Sequence, residues 1–349
     1  MPHEIGLIGA TGIAERAVLA PAARREDIRV RAVAAHTPDR ATAFRARHGL
    51  PGGHAGYREL LDDEAVDTVY ISLHNTAHAQ WAVEAARAAK NVVIEKPLCL
   101  GRRELHALRH AASATGVHVV EAVMTADHPW QAAVRDLIDS AELGALTAIH
   151  SYIGFEPPDR RGYRFRPELG GGAFLDTASY WLQAVQATAG LDGATPGGRS
   201  DFGGPGGVDL EFTATLDLPS GARATLHATL GEGYRADHEF VFTRGRVRLR
   251  NFLRPAAGPL PVNLHIAPDG APRRVLSFPA SCYYDDQLDR FLTRVSAPPA
   301  DQWRAVAERV SLMEDCYLAA LAAPGASRAR TAPSGARGAL AAPGAGTGR

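Results

Sequence analysis

Short apolar runs recur through the first third of the chain, at "IGLIGA", "IRVRAVAA", "VDTVYISL", "NVVIE" and "GVHVVEAV". Between them, apolar residues return at helical spacing, as in "HAQWAVEAARAAK" and "RRELHALRHAASATG". A continuous apolar run bounded by turn residues suits a strand covered on both faces. Strands that alternate with helices require right-handed crossovers into a parallel sheet. The pattern predicts a doubly wound α/β domain over residues 1–122.

After Asp127 the texture changes. A helical stretch, "PWQAAVRDLIDSAEL", precedes a long strand, "LTAIHSYIGF", and a glycine-rich turn then opens a further helix at "GGGAFLDTASYWLQAVQATAG". From Val208 the apolar positions alternate, and the runs are joined by Pro-Ser-Gly, Arg-Gly and Asp-Gly. Those turns between alternating runs predict hairpins of a large, mostly antiparallel sheet. Helices over 283–296 and 299–322 close a second, α+β domain spanning 123–322. The remaining residues, 323–349, are rich in Ala, Gly, Pro and Arg, too poor in large apolar residues to bury a core, and read as a disordered tail.

Charge narrows the choice of partners. Lys+Arg and Asp+Glu are equal at 38 each, which gives no electrostatic reason to expect nucleic acid or an anionic membrane. Apolar runs fall short of the roughly 20 residues of a membrane helix. The N-terminus enters a strand pattern at once, so a cytoplasmic location is expected. Three widely spaced cysteines, Cys99, Cys282 and Cys316, imply neither disulfide staples nor a zinc cluster. His74 and His78 stand at i, i+4, but no third ligand is suitably spaced, and no metal is expected.

The first strand runs into "GLIGATGIAE". Gly9 and Ala14 fit the first and last positions of a G-x-G-x-x-G/A dinucleotide fingerprint, with Thr11 in the middle and Gly12 and Ile13 beside it. A helix start there would offer free N–H groups to a pyrophosphate. At the end of the second strand, "AHTPDR" lacks the acid that would bond a ribose 2′-hydroxyl; His36, Thr37 and Arg40 favour NADP over NAD.

The candidate chemistry begins at "VVIEKPLCL". Glu95-Lys96-Pro97 ends the fourth of the five apolar runs, at the sheet edge where ligands bind, and Pro97 keeps Lys96 extended. Beside a nicotinamide cation a lysine is disfavoured as a cation, which would let it share the proton of a carbonyl/alcohol pair. Asp176 and Tyr180 stand four apart on one helical face: a carboxylate to balance charge and a phenol to move the substrate proton. The Lys96 cation is expected to draw that phenol below its ordinary value of about 10.

In combination and order, "GLIGATGIA", "EKPL", "RPELGGGAFLD" and the following Tyr180 resemble the glucose-fructose oxidoreductase/inositol dehydrogenase/MocA (Gfo/Idh/MocA) family, from about Ile5 to Ala322. The resemblance implies a Rossmann domain followed by a domain with a large open sheet, often used for oligomer contacts. It implies hydride transfer between NAD(P) and a sugar-like hydroxyl or ketone, with Lys96, Asp176 and Tyr180 as catalytic residues. Tyrosine at the last position is like sugar-nucleotide 3-ketoreductases, pentose dehydrogenases and dihydrodiol dehydrogenases. The resemblance also points to cofactor contacts from Ser72, Leu73, Asn75 and His78 in "SLHNTAH", from Glu95 and Lys96, and from Tyr163 and Arg164. Departures from the family pattern fall around the substrate pocket: His74 stands for proline, "EAVMTADHP" lacks the usual Arg or Tyr, and "LDTASYW" replaces Val-Gly after Asp176. Two other readings stay open, an imine or enamine reductase of secondary metabolism and a non-catalytic dinucleotide-binding regulator.

Overall fold

The computed structural model describes residues 2–296 and 303–323. The tail reading for 324–349 and the first residues of the helix expected from 299 lie outside the described residues. Two sheets organise the chain. The first holds six parallel strands: β1 His3–Ile8, β2 Ile28–Ala34, β3 Gly52–His54, β4 Thr68–Ile71, β5 Asn91–Glu95 and β6 Val119–Ala122. Their order is β3-β2-β1-β4-β5-β6, a doubly wound sheet. β1 pairs with both β2 and β4, so the direction of winding reverses there and opens a crevice at the carboxyl ends of β1 and β4. The short β3, which the apolar pattern did not disclose, makes the strand ending in Glu95 the fifth rather than the fourth.

The second sheet holds β7 Leu146–Phe155, β8 Thr195–Arg199, β9 Glu211–Asp217, β10 Arg223–Leu230, β11 Arg235–Phe242, β12 Gly245–Leu249, β13 Leu260–Pro268 and β14 Arg274–Ser281. The hairpins expected at Pro-Ser-Gly, Arg-Gly and Asp-Gly are the antiparallel pairs β9–β10, β11–β12 and β13–β14. β7 lies between β11 and β10, antiparallel to the first and parallel to the second. Along β9 and β10, buried and less buried residues alternate, the signature of a sheet covered on one face. Helix Ala173–Thr188 lies on the covered face, and its Phe174 stacks on Phe212 of β9 at 4.2 Å between ring centroids.

The last two helices join the halves. Tyr283–Val295 packs Leu288 and Phe291 beside Ile5, Ala17, Val18 and Val93 of the parallel-sheet domain. In Trp303–Ala322 the early residues Trp303, Val306 and Val310 belong to the apolar cluster of the parallel sheet, while Met313, Cys316 and Tyr317 belong to that of the open sheet. Both helices therefore tie the two halves together.

Candidate active site

The turn after β1 is built for close approach. Gly9 has φ +115°, and a Cβ on it would lie 2.6 Å from the Ser72 carbonyl, so only glycine fits. Thr11 takes the place of the fingerprint's second glycine. Its hydroxyl caps the helix by accepting from the Ala14 amide at 3.2 Å, and it shares a 2.7 Å hydrogen bond with Ser72 Oγ. Helical backbone then runs from Gly12 to Ala22, widening to a π-turn over Glu15–Leu19 just ahead of Pro21, which has no amide hydrogen to donate. A Cβ on Gly12 would meet nothing of the protein within 4 Å. No internal contact demands that glycine, and its bare backbone borders the cleft, as a pyrophosphate cradle requires.

That cleft has a volume of about 1480 Å³, above the roughly 300–1,000 Å³ of a pocket for one small ligand. It has room for a dinucleotide and a substrate together. Gly9, Thr11, Gly12, Ile13, His36, Arg40, Ser72, Leu73, Asn75, His78, Glu95, Lys96, Tyr163, Arg164, Asp176 and Tyr180 all border it. Of the residues expected at the site, Thr37 alone is absent from its wall: its hydroxyl caps helix Pro38–His48 by accepting from the Arg40 amide.

Several side chains expected to touch the cofactor spend their polar groups on the protein. Ser72 is buried and ties the glycine turn. Asn75 donates to the Gly170 carbonyl at 2.8 Å, stapling the parallel-sheet domain to the loop before helix Ala173–Thr188. His78 places Nδ1 2.8 Å from the Pro97 carbonyl and Nε2 3.1 Å from that of Leu73, and burial lowers its pKa to about 4, so it is a neutral brace beneath the Lys96 turn. Glu95 accepts from the Tyr70 hydroxyl at 2.5 Å rather than pairing with Lys96, and burial pushes its carboxyl above the usual range.

Lys96 crosses to the other half. Its Nζ donates at 2.7 Å both to Asp176 Oδ1 and to the Asp176 carbonyl. Arg164 Nε donates to Asp176 Oδ2 at 2.7 Å, and the Tyr163 hydroxyl stands 3.5 Å from Oδ1. Tyr163 and Arg164, expected at the cofactor, thus also serve as partners of Asp176. Burial opposes ionisation of Asp176, yet the charges of Lys96 and Arg164 hold its carboxyl well below the usual range. One buried anion therefore gathers two cations.

Tyr180 corrects one expectation. Lys96 Nζ lies 5.3 Å from its ring centroid. Burial nevertheless pushes the phenol well above its ordinary value, and the proximity of Tyr284, Glu95, Asp176 and Tyr163 pushes it further. Lys96, paired with Asp176, does not outweigh burial, and the other neighbours resist a second anion. The group is held as a protonated phenol.

Sequence reasoning missed Arg16, Arg166 and Tyr284, which also line the cleft, as does His74, expected only as a departure near the substrate pocket. His74 is held below the usual histidine range by burial and by the charges of Arg166 and His36, which places those three near one another. The alternating arginines of "YRFRPEL" were a usable signal for Arg166; nothing local marked Tyr284.

A doubly wound domain with a glycine turn at the switch point, facing an ion-paired lysine and a buried tyrosine, is consistent with a nicotinamide-dependent oxidoreductase. The chain belongs to the Gfo/Idh/MocA family: residues 3–123 match its "Oxidoreductase family, NAD-binding Rossmann fold" and residues 131–248 its "GFO/IDH/MocA C-terminal domain". It is 32% identical over 306 residues to an oxidoreductase of Rhizobium meliloti, covering 88% of this chain and 87% of that one. Over 273 residues it is 32% identical to the dTDP-3,4-didehydro-2,6-dideoxy-alpha-D-glucose 3-reductase of Streptomyces violaceoruber, covering 78% and 80% of the two chains. Among solved structures, KijD10, a 3-ketoreductase from Actinomadura kijaniata in complex with NADP and TDP-benzene, superposes with a TM-score of 0.83 at 26% identity, covering 91% of this chain and 98% of that one. The chain is an NAD(P)-dependent oxidoreductase. Among the described residues, no helix is long and apolar enough to cross a membrane.

Proposed function

We propose that the chain uses NADPH to reduce a keto group on a sugar nucleotide. The observation that carries this reading is the protonated Tyr180 hydroxyl in a cleft shared with Lys96, which is locked to Asp176. When bound, the nicotinamide supplies the hydride to the substrate carbon. Tyr180 donates a hydrogen bond to the substrate oxygen; as negative charge develops there, its O–H bond breaks and the proton passes to that oxygen. The Lys96 ammonium, fixed by two acceptors on Asp176, sits over the ring and stabilises the phenolate left behind until solvent reprotonates it. Gly9 to Ile13 would hold the pyrophosphate, and Arg40 and Arg166 supply positive charge beside the tip of β2, with His36 and His74 next to them, which supports NADP over NAD. The sugar-nucleotide substrate rests on the likeness to the Streptomyces reductase and to KijD10. The uncovered face of the open sheet, where Thr225, His150, Glu239 and Arg248 form one cross-strand row, supports a second copy of the chain as partner.

Following NADPH oxidation with 3-keto sugar nucleotides against cyclic imines tests the substrate class, since turnover of imines alone moves the chain to C=N reduction. In the same assay Lys96→Ala and Tyr180→Phe are each expected to lower kcat by about two decades or more, the scale of a lost general acid. Full activity in both variants ends this mechanism and leaves the regulator reading.

A further inference from the structure

A second buried anion lies behind the first. Glu121, in β6, is nearly enclosed, with its side chain 5% exposed, and its two oxygens reach three separate parts of the chain. Oε1 accepts from the Leu98 amide at 3.3 Å and from the Ser179 hydroxyl at 2.9 Å. Oε2 pairs with Arg309 of the last helix at 2.8 Å. Leu98 follows Lys96 by two residues, on the same turn, and Ser179 immediately precedes Tyr180. Arg309 also donates to Gln186 Oε1 at 2.6 Å, one turn and a half further along the helix that carries Asp176 and Tyr180. Its Nε is buried without a partner, so the pair carries an uncompensated polar atom inside the protein.

Such an arrangement is a costly way to gain stability. Desolvating a carboxylate and a guanidinium consumes much of their attraction, and apolar residues of similar volume often do as well or better. What a carboxylate at this point does that an apolar residue cannot is bond the Lys96 turn and the Tyr180 helix to one atom. Proton transfer between a phenol and a substrate oxygen depends steeply on placement, and a misplacement of about 1 Å can cost a hundredfold in rate.

We infer that Glu121 is a positioning residue for the reaction: it sets the spacing between the Lys96 turn and the Tyr180 helix, and Arg309 neutralises it. The inference rests on the assignment of Lys96 and Tyr180 above. Glu121 does not line the cleft; it acts through Leu98 and Ser179.

The test compares rate with stability in the full-length chain. Glu121→Leu combined with Arg309→Met replaces the ion pair by apolar residues of similar bulk and is expected to restore the melting temperature lost in Glu121→Ala. It leaves the Leu98 amide and the Ser179 hydroxyl unanchored, so kcat should stay about tenfold or more below the parent while the KM for NADPH changes less than about twofold. The primary deuterium isotope effect on kcat, read with 4-deuterated NADPH, should rise as the chemical step slows. Ser179→Ala removes one arm without removing charge, and is expected to lower kcat about threefold at an unchanged melting temperature. As a control for stability alone, Leu264→Ala, in the fully buried core of β13, should lower the melting temperature and keep kcat. Recovery of kcat together with melting temperature in the double variant would overturn the inference, as would unchanged turnover in Ser179→Ala. Those results, with Lys96→Ala and Tyr180→Phe inactive, sink the positioning role alone; active Lys96 and Tyr180 variants sink the reading beneath it.

Discussion

Two charged regions share one cleft and are built in opposite ways. Around Asp176 the groups are buried and matched: Asp176 is 3% exposed, Lys96 10% and Arg164 31%, and each cation meets a carboxylate oxygen at 2.7 Å. Around the tip of β2, His36 and Arg40 are exposed and, among the described residues, take part in no ion pair. Arg166 there pairs only with Glu168, both more than half exposed. The first region is complete before any ligand arrives; its charges hold one another in place, and what it offers is a neutral phenol. The second gathers exposed cationic side chains with little to hold them, and exposed cations of this kind are cheap to keep in water. Rigid machinery and an electrostatic socket are thereby separated along a single cleft, so variants should separate rate from cofactor affinity.

The largest expected effect comes from breaking the matched region. Asp176→Asn leaves Lys96 and Arg164 beside each other with no carboxylate, and removing one partner of a buried ion pair costs about 3–5 kcal/mol. A denaturant-midpoint measurement should show that loss, and kcat should fall by two decades or more as Lys96 leaves the Tyr180 ring. The same carboxylate governs acid stability. Its folded value lies below its unfolded one, so its contribution is complete above about pH 4 and is lost as pH falls through the folded value. The parent should therefore lose stability steeply in acid, and Asp176→Asn should give a flatter curve below about pH 4. Equal slopes would mean that Asp176 is not the anion holding the two cations.

How far this contrast could be read without coordinates depends on where each signal resides. The parallel sheet was legible because buried strands such as β4 and β5 are continuous apolar runs. β3 and β8, "GGH" and "TPGGR", escaped because both are edge strands held by backbone pairing, with no apolar pattern to display. Lys96, Asp176 and Tyr180 were legible as residue types at telling positions. Their couplings were not, since the Lys96–Asp176 bond spans 80 residues and Arg164 joins from a third segment. The direction of the Tyr180 shift was misread for the same reason. It depends on burial and on Tyr284 and Glu95, brought alongside from distant elements. Thr37 shows a further coupling the sequence pattern did not display: its hydroxyl caps helix Pro38–His48.

Breaking the socket should give a smaller effect of a different kind. Arg40→Ala and His36→Ala remove charge from the β2 tip and leave the Asp176 region untouched. Each is expected to raise the KM for NADPH by about tenfold, the scale of a lost hydrogen bond to a charged group, with kcat and the KM for NADH within about twofold of the parent. Steady-state titration of both cofactors reads this directly. A parallel rise for NADH would place these side chains on something other than the 2′-phosphate.

The smallest effect sharpens the contrast through pH. His74 is held below the usual histidine range by burial and by the nearby charges of Arg166 and His36. A phosphate seated beside His74 would offset the repulsion from its cationic neighbours and raise the proton affinity of His74. Binding would then take up protons, so NADPH affinity should strengthen as pH falls. Between about pH 8 and pH 6.5 the phosphate keeps most of its second charge, its own pKa being about 6, and His74 is the group that responds. The ratio of NADH to NADPH dissociation constants should rise about two- to threefold over that interval and stay flat in His74→Gln. The adenosine 2′-hydroxyl of NADH brings no charge to the site, so its affinity serves as the internal reference. A ratio that does not move with pH would detach His74 from the phosphate and leave Arg40 to carry the preference.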